Sequence, residues 1–222
     1  MIGSVLAAWL PPLLSFAGLT LALEIGLWLS DIPSYLMPRP SEVFIALHVH
    51  GADLTRGILR TTLAASAGLS ASAILGVVAA IALSSNDWMR RAFYPYAVFF
   101  QTVPIIAIAP LLVIWFGYGL KTIIAVSFIV SVFPIVANTL SGLLSTDPAL
   151  RDLFRLHQAG TLTTLVKLRI PAALPQFLTG LRIASGLAVI GAIVGEFVAD
   201  DYKDGGGIGT VVMVSIKEFK ID

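Results

Sequence analysis

The acid–base chemistry of this 222-residue chain rests on 13 acids, 14 lysines and arginines and three histidines, with no cysteine. Without thiols there are no disulfides, thiolate metal sites or cysteine nucleophiles. His48 and His50 are separated by one residue, which on a helix turns them about 200° apart, so they do not converge on a metal ion. An H-E-x-x-H motif is missing and all three histidines fall outside the oily segments, which leaves no cluster for a membrane-embedded enzyme. A phosphate-cradling G-x-x-x-x-G-K-[ST] loop is missing too, so the chain does not itself cradle nucleotide phosphates in the usual way. Gly205-Gly206-Gly207 has neither the preceding soluble strand nor the continuation of a dinucleotide loop, and reads as a flexible turn. No catalytic residue, metal or cofactor is expected.

What remains is polar chemistry inside apolar surroundings. Glu24 lies near the end of an oily run and either serves a function or reaches water. Gln101 and Thr102, one turn before Pro104, line a path or belong to a mechanical kink. Asn138, four residues after Pro134, either lines that path or satisfies backbone freed by the proline. Glu196 has three open readings: a gate, a helix-to-helix hydrogen bond, or a plain interface acid.

The elements that must position these residues are membrane helices. The chain is 57% hydrophobic and 12% charged with a mean hydropathy of +0.92, against about 25% charged residues in soluble domains. The fold class is therefore an all-α, polytopic transmembrane helical bundle, a single domain over 1–222. A net charge of +1 gives no basic face for nucleic acid. No basic region or small-residue cleavage site precedes the first oily run, so it is expected as a retained span. Spans are expected over about 12–30, 57–84, 92–116, 122–144 and 175–199, each near the roughly 20 residues a bilayer requires.

Pro11-Pro12 marks the start of the first span, and Ser41 caps a short surface piece running to His50. The second span carries Ala64, Gly68, Ser72, Gly76 and Ala80, small residues at every fourth position that let helices approach closely in lipid. Pro95, Pro104 and Pro110 kink the third. Gly117-Tyr118-Gly119 is a tight turn. In the fifth, Gly180, Ala184, Ala188, Ala192 and Glu196 also recur at fours, but this series drifts about 160° and is expected to wind around the helix without forming one stripe. Five spans place the termini on opposite sides, and a sixth span is expected to be missing from the end.

Ser145–Gln176 is the longest polar interruption. Asp147-Pro148 opens a capped amphipathic helix bearing Leu150, Leu153, Phe154 and Leu156, Ala159-Gly160 breaks it, and a second short helix from Thr161 is expected to end at Pro171 and Pro175. Two short helices on a membrane face suggest a docking surface.

This loop resembles the cytoplasmic motif E-A-A-x3-G-x9-I-x-L-P of permeases of ATP-binding-cassette importers. With Pro171 as anchor, Asp152 falls on the acid, Leu153 and Phe154 on the alanines, Gln158 on the glycine, and Leu168 and Ile170 on the apolar pair, while Gly160 arrives two residues late. Within that class the chain is similar to the nitrate, sulfonate, taurine and pyrimidine branch through Leu36-Met37-Pro38-Arg39-Pro40-Ser41-Glu42-Val43, Pro104-Ile105-Ile106-Ala107-Ile108-Ala109-Pro110, Trp115-Phe116-Gly117 and Gly180-Leu181-Arg182. The departures at Leu153, Phe154 and Gln158 resemble the subgroup serving riboflavin or thiamine-precursor pyrimidines. The resemblance implies a type I importer permease in a bacterial plasma or inner membrane, surrounded by lipid. It pairs with a second copy, receives a small polar or anionic solute from a binding protein, and is driven by separate ATPase subunits.

It also implies that the loop over 145–174 faces the ATPases, with Asp152, Arg155 and Gln158 as the contact. Basic residues divide seven and seven across the membrane, so charge alone leaves the orientation neutral. An ion-coupled secondary transporter is the rival reading, and it would want several mid-membrane acids and an inverted repeat.

Overall fold

The computed structural model describes residues 2–30, 32–34, 36–200 and 206–217, and every regular element among them is a helix. In chain order these are α1 (Ile2–Ser30), α2 (Pro40–Val49), α3 (Gly51–Ser85), α4 (Asp87–Thr102), α5 (Ile105–Phe116) and α6 (Leu120–Leu144). They are followed by α7 (Pro148–Leu156), α8 (Thr161–Thr164), a π-helical turn (Leu165–Arg169), α9 (Ile170–Ala199) and α10 (Ile208–Lys217). Among the described residues four helices are long and apolar enough to cross a membrane: Trp9–Ser30, Gly51–Ser85, Leu120–Leu144 and Thr161–Ala199. The chain forms two units, one of the residues up to Arg56 and from Val211 onward, the other Gly57–Thr210.

In the first unit, Pro11 and Pro12 lie inside α1 rather than at its start. Helix α2 begins at Pro40, one residue before the Ser41 cap expected from sequence. Ser41 is a first-turn residue whose N–H and hydroxyl both donate to the Glu24 carboxylate of α1, at 3.0 and 2.8 Å. Glu24 thus satisfies an amide that the helix cannot. Glu42 accepts from the Arg39 N–H at 2.8 Å and from the Ser34 hydroxyl at 2.9 Å, and these bonds hold its carboxyl below the usual range. Their contribution is present above the ordinary carboxylate pKa and fades as pH falls through the lowered one.

The second unit is organised around α6. Its buried Ser127 and Ser131 face α3, where Ser72 bonds Ser131 Oγ at 2.7 Å and the Phe128 carbonyl at 2.9 Å. Ala64, Gly68, Ser72, Gly76 and Ala80 of α3 are all buried. On the other side, the Ser127 hydroxyl donates to the Ala188 carbonyl of α9 at 2.9 Å. Lipid offers apolar groups no incentive to associate, so such close backbone approach and hydroxyl bonding carry the packing.

The fourth-residue series of α9 is buried along its whole length, and, as expected, it winds round the helix without forming one stripe. Relative to Gly180, Gly191 and Gly195 lie about 20° and 60° round the helix, and Glu196 about 160°. Gly180 meets Pro134, Gly191 meets Ser127 and Gly195 meets Ile123, all on α6. Glu196 meets Thr61 of α3 instead. The winding is real, and it carries the series from one neighbour to the next.

Prolines also behave differently from one another. The expected kinked span over 92–116 is two helices, because Val103 and Pro104 are both extended (ψ 123° and 121°). A proline pushes its predecessor out of the helical region, and here two successive residues leave it. Pro171 and Pro175, expected to end a helix, sit inside one that runs from Thr161 to Ala199. The Ile170 N–H reaches back five residues to Leu165 O, and this wide turn precedes Pro171 where a normal turn would crowd its ring.

A β-carbon at Gly191 would lie 2.8 Å from Ser127 Cα, whereas one at Gly186 meets nothing within 4 Å. Gly191→Ala is therefore expected to destabilise the purified protein by about 1–3 kcal/mol. Gly186→Ala should leave it unchanged or gain up to about 1 kcal/mol of helix propensity. Thermal unfolding in detergent, run on both variants side by side, checks this.

Candidate functional site

The loop between α6 and α9 starts with Asp147, whose side chain accepts the Ala149 N–H at 2.8 Å, and Pro148 follows at the first helical position. Leu150 and Leu153 are 44% and 45% exposed, Leu156 81% and Leu162 73%. Asp152 and Arg155 form an exposed pair at 3.5 Å, which contributes little to stability and leaves both ends accessible. Phe154 is half-buried, Leu168 is buried, and Ile170 and Pro171 are exposed.

Helix α7 ends in a Schellman arrangement. The Ala159 N–H donates to Phe154 O and the Gln158 N–H to Arg155 O, each at 2.9 Å. Gln158 stands at φ +49°, the only non-glycine among the described residues with a positive φ. That is the conformation a glycine accepts without penalty. Gly160 does not replace it, since its φ is −63°.

Two arginines tie this loop to the helices. Arg151 of α7 donates to Leu144 O at 2.7 Å. Arg169 donates from Nε to Leu143 O at 3.1 Å and from Nη2 to Ser84 O at 3.2 Å. These carbonyls end α6 and α3, where the last turn has no internal donors and the helix dipole is negative. Sequence reasoning counted both arginines only as charges, because their partners lie up to 85 positions away.

About 880 Å³ of cavity opens beside the α4–α5 break, bounded by Gln101, Thr102, Pro104, Trp115, Phe133 and Leu187 among others. None of its lining residues is charged, and its polar side-chain groups are those of Gln101, Thr102 and the Trp115 indole. Thr102 also donates to Phe99 O at 2.7 Å. Asn138 and Glu196 do not line it. Asn138 donates to Pro134 O at 2.8 Å, not to the Val130 carbonyl that the proline leaves without a partner. Glu196 is 3% exposed and held by Thr61 at 2.6 Å and by the Gly209 N–H at 2.8 Å.

An exposed amphipathic loop braced on helix ends, together with an uncharged cavity at a helix break, agrees with the comparisons with known proteins. Residues 72–222 match the family model described as "Binding-protein-dependent transport system inner membrane component". The chain is 35% identical to a "Probable ABC transporter permease protein" of Haemophilus influenzae, over 96% of this chain and 85% of that one. It is 39% identical to the "Formylaminopyrimidine transport permease protein ThiX" of Halalkalibacterium halodurans, over 85% and 76%. Similarity to the "Riboflavin transport system permease protein RibX" of Chloroflexus aurantiacus is 30%, over 87% and 70%. The chain therefore belongs to the binding-protein-dependent transport system inner membrane components and is a permease subunit of an ABC importer, in the nitrate, sulfonate and pyrimidine branch.

Proposed function

We propose that this permease works as a pair of copies, driven by two separate ATPase subunits docked on the loop over 145–174, and that it passes a neutral nitrogen heterocycle of the pyrimidine or flavin kind. The observation that carries the docking is α7 itself. It presents Asp152, Leu153 and Arg155 outward while Arg151 and Arg169 grip the ends of α6 and α3. A push on α7 is then delivered to the long helices as a rigid-body displacement, one form of alternating access. Phe154, Leu168, Ile170 and Pro171 are the loop's supporting positions, and Gly160 lets the chain turn into α8.

The solute class is supported by the uncharged cavity. A sulfonate, taurine or nitrate would enter it without a cationic partner, and an unpaired charge in apolar surroundings is costly. A flat heterocycle would stack on Trp115 and Phe133 while Gln101 and Thr102 meet its polar edge. The relatives named for formylaminopyrimidine and riboflavin point the same way.

Docking is tested by co-purification from membranes. Asp152→Arg combined with Leu153→Glu should lose the ATPase that wild type retains, and retention by this variant would refute the dock. Gln158→Gly should keep the ATPase, because it fits the left-handed turn. A β-branched Gln158→Val should weaken retention, since a bulky residue there is strained by about 1–2 kcal/mol. In proteoliposomes with the binding protein, a pyrimidine but not taurine should raise ATP hydrolysis and be taken up. Stimulation by taurine alone would overturn the solute class.

A further inference from the structure

At the end of α9 remote from the loop, about 40 Å along the helix, two buried acids have no place in the docking or the cavity just described. Asp200 follows the last residue of α9, and its side chain is 1% exposed. It pairs with Arg60 of α3 at 2.9 Å, while its second oxygen accepts the Gly207 N–H at 2.8 Å and the Thr210 hydroxyl. Glu196, one turn earlier, accepts from Thr61 of α3 and from the Gly209 N–H, and Thr61 Oγ1 in turn accepts the Ile208 N–H at 2.9 Å. The amides of Gly207, Ile208 and Gly209 therefore all end on side chains of α3, α9 or the residue that follows α9. Carboxylates at a helix N-terminus meet both its unpaired donors and the positive end of its dipole.

The glycines are shaped to this arrangement. A β-carbon at Gly207 would overlap the Glu196 carboxylate, one at Gly209 would lie 2.9 Å from Glu196 Oε2, and Gly206 stands at φ +49°. What reads in sequence as a flexible glycine turn is, at Gly206-Gly207, a fitted seat for two acids.

We propose that Glu196 and Asp200 are positioning residues of the transport cycle, clamping α3, the end of α9 and the start of α10 into one piece that moves without opening. This rests on the reading above that ATPases drive the helices. Motion must then be taken up elsewhere, at the extended Val103–Pro104 break, since the Gly117–Gly119 turn is tied to the clamp by the Gly119 N–H donating to Ala199 O at 2.6 Å.

The cysteine-free chain makes the test direct. A β-carbon at Gly57 would lie 3.3 Å from Ile208 Cα, so these neighbours across the α3–α10 contact are the pair to cross-link, as Gly57→Cys with Ile208→Cys. Uptake is measured in the assembled importer, oxidised and reduced. The reduced sample reports on ATP-driven import as such, and the difference between the two reports on the clamp. Once the disulfide has formed, the clamp predicts that oxidised uptake stays within about twofold of reduced, whereas an opening contact would cost about tenfold or more. A reversible tenfold loss would overturn the proposal; a pair that does not cross-link leaves the decision to Glu196→Ala. Where cysteines disturb assembly, Glu196→Ala decides. Uptake per ATP hydrolysed should fall about fivefold or more, while uptake and hydrolysis falling together with the amount of complex would leave the acids a folding role only.

Discussion

The close approach of α3 and α9 to the two sides of α6 is the contact on which the rest of this permease depends. Gly68 sits against Ser127 from one side, and Gly191 and Gly180 sit against Ser127 and Pro134 from the other. No side chain larger than a hydrogen fits at these points. With the helices this near, the serine hydroxyls reach across them, and the ends of α3 and α6 lie close enough for Arg169 to bond both. The loop's leverage and the clamp at the far end of α9 both presuppose this spacing.

Much of this was legible from residue types. Apolar length and low charge gave the helical membrane class, and the small residues of α3 marked a face that the structure buries. Asp147-Pro148 correctly marked the start of α7, because capping chemistry is local and its signal sits within three residues. The loop motif could be aligned although its glycine is absent, and the residue aligned with it, Gln158, stands at a positive φ that favours glycine.

What escaped sequence reasoning was long-range or a matter of degree. Three prolines announced distortion over 92–116, but whether one kinks or breaks a helix depends on Val103 and Pro104 both becoming extended. Pro171 was expected to stop a helix and instead follows a π turn that accommodates it. The winding of the α9 series was legible in angle, but not that a second neighbour, α3, receives what α6 no longer covers. For Glu196, Arg151 and Arg169 the partners lie far along the chain, where no local pattern records them.

Two bonded ends of one assembly follow: arginines hold the loop to α3 and α6, and acids hold α9 to α3 and α10. Between them lies the uncharged cavity beside the α4–α5 break, so on the proposed reading a displacement at the loop would reach the cavity through the long helices. The most direct test is to measure ATP hydrolysis and solute uptake together in the reconstituted complex carrying Arg169→Leu. If the arginine transmits the push, the ATPase stays docked and hydrolysis continues while uptake per ATP falls. Unchanged uptake per ATP, with Arg169 no longer bonded to Leu143 and Ser84, would contradict the account.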